Sequence, residues 1–247
     1  MAQIIFPSLI AGNQQELEKK YAKLSGVVKT LHLDIVDGRF APNKSLQFKF
    51  KLSPQFRYDA HLMVKDPEQW IKRQLRQNGS KLINVFIPHF EAIYFHSRYI
   101  LWMKKLKKKV AFAILPETNV THLKEHLPYL DYVLVLAVHP GFYGSKYLRS
   151  ELLKITPIKK VNPKVKIIVD GGMNPETIVE ARKAGADLFV SGSYLMNNHD
   201  NHNTHNTHNT HNNHNNHNNH NIHNIHNIHK NHGARKALQE MKRAWRH

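Results

Sequence analysis

From its start to about residue 193 the chain repeats one alternation: a short run rich in Val, Ile and Leu, then an amphipathic stretch of helical length. That repeat limits the fold more than any other feature. Strands that are apolar throughout need cover on both faces, and alternating helices give it around a parallel sheet. Strands are predicted over Gln3–Pro7, Thr30–Ile35, Tyr58–Met63, Leu82–Ile87, Val110–Leu115, Tyr132–Val138, Lys166–Val169 and Leu188–Ser191. Helices are predicted over Gln14–Leu24, Pro67–Gln77, Tyr94–Lys107, Val120–His126 and Pro175–Ala184, several with an Asn, Asp or Thr near the start as a cap. Eight strands with intervening helices favour an α/β fold of the closed kind, a single (β/α)8 TIM barrel, over an open sheet. In such a barrel the catalytic groups belong at the C-terminal ends of the strands.

A length of 247 residues fits one domain. Its expected parts are a core over 1–196, a disordered His/Asn-rich insert over 197–232 and the last barrel helix over 233–247. Within the insert His recurs at every third position from His199 to His232, with Asn, Thr and Ile between. Such a composition builds no packed core, and its period matches neither helix nor strand, so disorder is the expectation. After it, Ala237, Leu238, Met241 and Trp245 fall at helical spacing. A lengthened surface loop costs little entropy, so the barrel tolerates such an insertion before its last helix. Imidazoles at this density would bind Zn, Ni or Cu, which leaves a metal-sequestering segment and a repeat without selected function as two readings of the tract.

The absence of cysteine excludes disulfides and Cys-ligated metal sites. No basic leader followed by an apolar run opens the chain, and no apolar stretch approaches 18 residues, so a cytoplasmic protein without membrane association is expected. The formal charge of +18 could attract nucleic acid, membrane or a phosphorylated substrate. The Lys104–Lys109 run and the lysines between Glu18 and Lys23 read as solvated helix faces, and no nucleic-acid motif accompanies them, so no nucleic-acid partner is expected.

Polar residues interrupt the apolar runs at particular points. In Leu31-His32-Leu33-Asp34-Ile35-Val36-Asp37-Gly38, His32 and Asp34 are two apart on a strand and share the barrel's inner face. His61 lies near the end of the third strand, and Asp170 follows the seventh. An isolated strand-end His or Asp is commonly a hydrogen-bonded structural group. Two imidazoles and two carboxylates converging on one mouth are another matter, because buried carboxylates without a cation are costly. One divalent metal with N and O ligands, Zn first and Fe, Mn or Co as alternatives, suits the set. Glycines in Pro140-Gly141-Phe142-Tyr143-Gly144-Ser145, Asp170-Gly171-Gly172 and Ser191-Gly192-Ser193 would expose backbone N–H groups after the sixth, seventh and eighth strands. The last two loops are where such barrels commonly hold phosphate.

The segments Pro7-Ser8-Leu9-Ile10, His32–Gly38, Pro42-Asn43, His61-Leu62-Met63-Val64, His89-Phe90-Glu91-Ala92, His139-Pro140-Gly141-Phe142, Val169-Asp170-Gly171-Gly172 and Gly192-Ser193 resemble the ribulose-phosphate 3-epimerase family in order and spacing. The resemblance covers about residues 3–196 and the final helix. It implies an isomerase that inverts C3 of a ketose phosphate, D-ribulose 5-phosphate to D-xylulose 5-phosphate in the pentose phosphate pathway, by two-base proton transfer through an enediolate. By the same resemblance His32, Asp34, His61 and Asp170 are metal ligands, and Asp34 and Asp170 the acid/base pair. Ser8, His61, Gly141, Phe142, Tyr143, Gly144, Asp170, Gly171, Gly172, Gly192 and Ser193 are implied to meet the substrate. Some family members are oligomeric, which makes a homo-oligomer an open possibility.

The chain departs from the family pattern near this site. Val36 and Leu136 stand where methionines are usual, Tyr143 and Ser145 where Gly and Gln are, and Leu115 where Asn is frequent before Pro116. These changes keep a hexulose-phosphate (allulose 6-phosphate) 3-epimerase in view as an alternative. So does a second alternative, a non-catalytic barrel carrying a metal-binding His-rich segment.

Overall fold

In the computed structural model, which describes residues 2–141, 145–197 and 219–246, eight parallel strands close into a barrel in sequence order, each hydrogen-bonded to the next and the last to the first. The strands are β1 (Ile5–Leu9), β2 (Thr30–Val36), β3 (Arg57–Met63), β4 (Ile83–Pro88), β5 (Lys109–Ile114), β6 (Tyr132–Leu136), β7 (Lys166–Asp170) and β8 (Leu188–Ser191). Their side chains alternate between two cores. Phe6, Val85, Ile87, Ala111, Ala113, Leu134, Leu136, Ile168 and Val190 fill the barrel, while Leu31, Leu33, Ile35, Ala60 and Leu62 pack outward against the helices. That double burial is why the strands read as unbroken apolar runs. The polar groups on the inner face, including Ser8, His32, Asp34, His61 and Asp170, are therefore exceptions with a job.

The α-helices are α1 (Gln14–Leu24), α2 (Pro67–Leu75), α3 (His96–Lys105), α4 (Ile155–Val161), α5 (Pro175–Lys183), α6 (Ser193–Asn197) and α7 (Asn219–Arg246). Helix α1 starts where the Asn13 side chain accepts from Glu16 N at 2.9 Å, and its Leu17, Tyr21 and Leu24 fall on one buried stripe. Helix α7 packs between α1 and α5, burying Ala234, Ala237, Leu238 and Met241, which completes the outer ring. Asn231 Nδ2 ties it to the carbonyl of Ser25 at 3.0 Å.

Several boundaries differ from the sequence expectation. Strand β1 extends to Leu9, which brings Ser8 into the sheet opposite His32, and β6 stops at Leu136 rather than Val138. The expected helix over Val120–His126 is a 3-10 turn at Val120–Leu123, opened by the Asn119 side chain. Helix α4 and the 3-10 segment before it were not expected. Residues 37–56 pass from β2 to β3 without an α-helix, buried through Leu46, Phe50 and Phe56. Helix α7 begins at Asn219 rather than Gly233. The tract carries no Gly or Pro to stop a helix from propagating backwards from the packed last turns. Its residues 198–218 lie outside the described residues.

The turn after β7 is fixed by the start of α5. Asn174 accepts from Glu176 N and Thr177 N at 2.8 and 3.0 Å, and the Thr177 hydroxyl accepts from Asn174 N, a reciprocal cap with Pro175 at the first helical position. Thr177 also donates to the carbonyl of Gly172 at 2.8 Å, which connects the cap to the loop at the barrel mouth. Replacing Asn174 with Ala is expected to lower stability by about 1 kcal/mol in denaturant titration. An unchanged unfolding midpoint would show that Pro175 and packing alone hold this helix start.

Candidate active site

Strand β2 brings His32 and Asp34 to the inner face, β3 brings His61 directly beside Asp34 in register, and β7 brings Asp170 across the mouth. One ligand atom from each of the four lies within 4.8 Å of every other. His32 Nε2 stands 3.5 Å from Asp34 Oδ1 and 3.8 Å from Asp170 Oδ2; His61 Nδ1 stands 3.4 and 3.3 Å from the same two oxygens. These spacings are long for hydrogen bonds. His32 Nε2, Asp34 Oδ1 and His61 Nδ1 are accordingly buried without a hydrogen-bond partner. Three unpaired buried atoms aimed at one point form a ready donor set for a cation, and N and O ligands of this kind suit a divalent metal. The four residues fit such an ion and could hold it.

The electrostatics agree with that fit. Burial pushes the Asp34 carboxyl up, but the facing imidazoles of His61 and His32 and the hydroxyl of Ser8 outweigh it and hold the group below the usual carboxylate range. Ser8 Oγ donates to Asp34 Oδ2 at 2.6 Å, which leaves Oδ1 directed at the centre. Burial opposes a charged His61, yet the Asp170 and Asp34 carboxylates raise its pKa to about 9. A positive charge is thus demanded between the two acids. His32, with burial dominant, is shifted down and offers a neutral lone pair.

Above the cluster opens a pocket lined by Ser8, Asp34, Asp170, Gly141, Gly171, Gly172, Gly192 and Ser193, all expected from the sequence, and by Ser145. His32 and His61 lie buried behind its floor. Phe142, Tyr143 and Gly144, also expected here, lie outside the described residues. The departures Val36 and Leu136 line the pocket together with Met63 and Val138, so the apolar wall is present with one methionine in it. The sequence reading assigned no role to Asn43 and Ser45 of the β2–β3 connection, which reach the same pocket, nor to His89, whose Nε2 lies 2.9 Å from His61 Nε2. His89 follows β4 as His61 stands near the end of β3, a repetition visible in the sequence. Only the closed barrel shows that the two rings meet.

A closed eight-stranded parallel barrel with a His₂Asp₂ cluster and a glycine-lined pocket at the C-terminal strand ends is the class of protein defined by these observations. The chain belongs to the Ribulose-phosphate 3 epimerase family, whose pattern it matches over residues 4–196. It is similar to the ribulose-phosphate 3-epimerase of Aquifex aeolicus, 31% identical over 207 residues, covering 80% of this chain and 91% of that one. It is also similar to the ribulose-phosphate 3-epimerase of Eremothecium gossypii, 34% identical over 206 residues, covering 77% of this chain and 84% of that one. Among solved structures, KGPDC from Streptococcus mutans shares the fold with a TM-score of 0.61 at 11% identity, covering 99% of this chain and 100% of that one. Among the described residues no helix is long and apolar enough to cross a membrane.

Gly171 is the tightest point of the pocket wall. Its φ of +102° is a conformation open to glycine, and a Cβ there would stand 2.6 and 2.7 Å from the two γ-carbons of Val138. Gly171→Ala is expected to cost about 1–3 kcal/mol of stability. Adding Val138→Ala should restore only the steric share of that loss. A Gly171→Ala variant that melts with the parent chain would contradict the close approach.

Proposed function

We propose that this chain is a metal-dependent epimerase that inverts C3 of a ketose phosphate, interconverting D-ribulose 5-phosphate and D-xylulose 5-phosphate, a step of the pentose phosphate pathway. The observation that carries the reading is the convergence of Asp34 and Asp170 with two imidazoles on one point at the floor of the pocket. Inversion next to a ketone needs a proton taken from one face of C3 and another delivered to the opposite face. Asp34 and Asp170 stand on strands β2 and β7, so a ketose lying between them presents one face to each. Asp34, held ionised by Ser8 and the imidazoles, is ready to accept the first proton, and Asp170 is the group placed to deliver one on the far side. In the reverse direction their roles exchange.

A divalent cation held by His32, Asp34, His61 and Asp170, Zn first among the candidates, would supply the positive charge that offsets the enediolate oxygens and acidifies C3–H. The chain's own residues do the rest. Gly171, Gly172, Gly192 and Ser193 turn the ends of β7 and β8 toward the pocket, where backbone N–H groups can receive the phosphate. Gly141 holds the third side of the mouth, with Phe142, Tyr143 and Gly144 assigned to the substrate by family position alone. Val36, Met63, Leu136 and Val138 form an apolar wall that excludes water from the reacting carbon. The relatives' names support a pentulose over a hexulose phosphate, and parallel assays with ribulose 5-phosphate and six-carbon ketose phosphates separate the two.

Asp34→Asn and Asp170→Asn are each expected to slow exchange of the C3 hydrogen of ribulose 5-phosphate with deuterated water by at least about 10³-fold, with the barrel still folded by circular dichroism. A variant retaining a tenth of the parent rate would remove that carboxylate from the reaction.

A further inference from the structure

Behind His61, away from the pocket, polar side chains continue in a line from the core toward the surface that the four-residue cluster leaves unexplained. His89 follows the end of β4, fully buried and bridged to β5 at Ala113. Its Nε2 stands 2.9 Å from His61 Nε2, and the two rings are stacked with centroids 5.0 Å apart. Its other nitrogen, Nδ1, faces Glu91 Oε2 at 3.4 Å. Glu91 is anchored in turn: its Oε1 accepts from Leu115 N at 3.0 Å and from the Thr118 hydroxyl. Phe40 packs on the His89 ring, centroids 4.7 Å apart, and covers it, while Glu91 at the outer end of the line reaches the surface.

Protons in such a line can run only one way at a time. Of the two facing Nε2 atoms one donates and the other accepts. Glu91 Oε2 stands 3.4 Å from His89 Nδ1, too far for a hydrogen bond, but its negative charge favours the His89 proton on that side of the ring and leaves Nε2 as the acceptor. His61 must then carry its proton on Nε2, and its Nδ1 lone pair points between Asp34 and Asp170. The opposite order would put a hydrogen on His61 Nδ1, where a metal ligand must be unprotonated. Burial pushes Glu91 up, but the His89 ring, the Thr118 hydroxyl and the Leu115 N–H outweigh it and hold the carboxyl down at about 2, so it is an acceptor at any working pH.

We infer that His89 and Glu91 are positioning residues: together they fix the tautomer and ring orientation of His61, so that its Nδ1 is presented as a ligand to the divalent cation. This rests on the reading of the cluster as a metal site. Partners of this kind, one step behind a ligating imidazole, typically change metal affinity by 10–100-fold when removed. The device also gives the β5–β6 connection a function, because Leu115 contributes through its backbone N–H, which its side-chain identity does not alter.

The test is Mn(II) binding to the purified full-length chain stripped of metal, followed by electron paramagnetic resonance. Mn(II) lies at the weak end of the divalent series for imidazole sites, which limits uptake by the His-rich tract, and a His32→Ala chain gives the background. Glu91→Gln is expected to bind Mn(II) about 10–100-fold more weakly while the metal-free protein keeps its melting temperature. His89→Gln, which breaks the line at its other link, should weaken binding by a similar factor, and the double variant by no more than either single one. Parent-like affinity in both single variants, or losses that add in the double variant, overturns the inference and leaves the metal site standing. A parent chain that binds no more Mn(II) than His32→Ala overturns both.

Discussion

Two carboxylates held close together inside a protein need a positive charge between them, and the mouth of this barrel is organised around that need. Asp34 and Asp170 come from opposite parts of the chain, yet both face His61 Nδ1 at about the same distance, 3.4 and 3.3 Å. A proton on His61 can meet the requirement in part, which is the meaning of its raised pKa. It leaves His32 Nε2 and Asp34 Oδ1 buried and unpartnered. A divalent ion satisfies all the donors at once, with the desolvation of each offset by coordination rather than by pairwise salt bridges.

The barrel makes such an arrangement rigid. Each ligand residue sits within a strand, or at its last residue, with hydrogen-bonded neighbours on both sides, so the ligands are positioned by the sheet register: Asp34 is opposite His61, and Ser8 opposite His32. Loops then complete the pocket without having to hold the reacting groups. Gly171 brings the chain hard against Val138, and the Asn174–Thr177 cap at the start of α5 draws the Gly172 carbonyl into place. The outermost layer, His89 and Glu91, reaches back to β5 through Leu115 and Thr118. The four side chains that could hold a cation are thereby fixed by three strands, β2, β3 and β7.

Much of this was legible in the sequence, for reasons particular to parallel barrels. Strands buried on both faces write themselves as apolar runs, so a His or Asp within them stands out; that is how His32, Asp34, His61 and Asp170 could be picked. Element ends were less legible, since Ser8 and Leu9 continue β1 only because β2 is there to pair with them. Helix α4 was hidden because Ile155–Val161 is short and broken by Pro157 in composition, though Ile155 and Ile158 bury it against the barrel. The start of α7 within the His/Asn repeat was also missed, since composition there suggests disorder while the packed helix beyond Gly233 carries the backbone on. The His61–His89 contact could not be read at all, because two strand-end histidines 28 residues apart meet only through the register of β3 with β4.

The central claim is geometric: one cation shared by four side chains. Anomalous diffraction from crystals grown with Zn(II), at energies on either side of the zinc absorption edge, tests it most directly. The account predicts one strong peak inside the barrel mouth, about 2.0–2.2 Å from His32 Nε2, His61 Nδ1 and an oxygen of each of Asp34 and Asp170. A saturated crystal with zinc bound elsewhere and none between those four residues would contradict it.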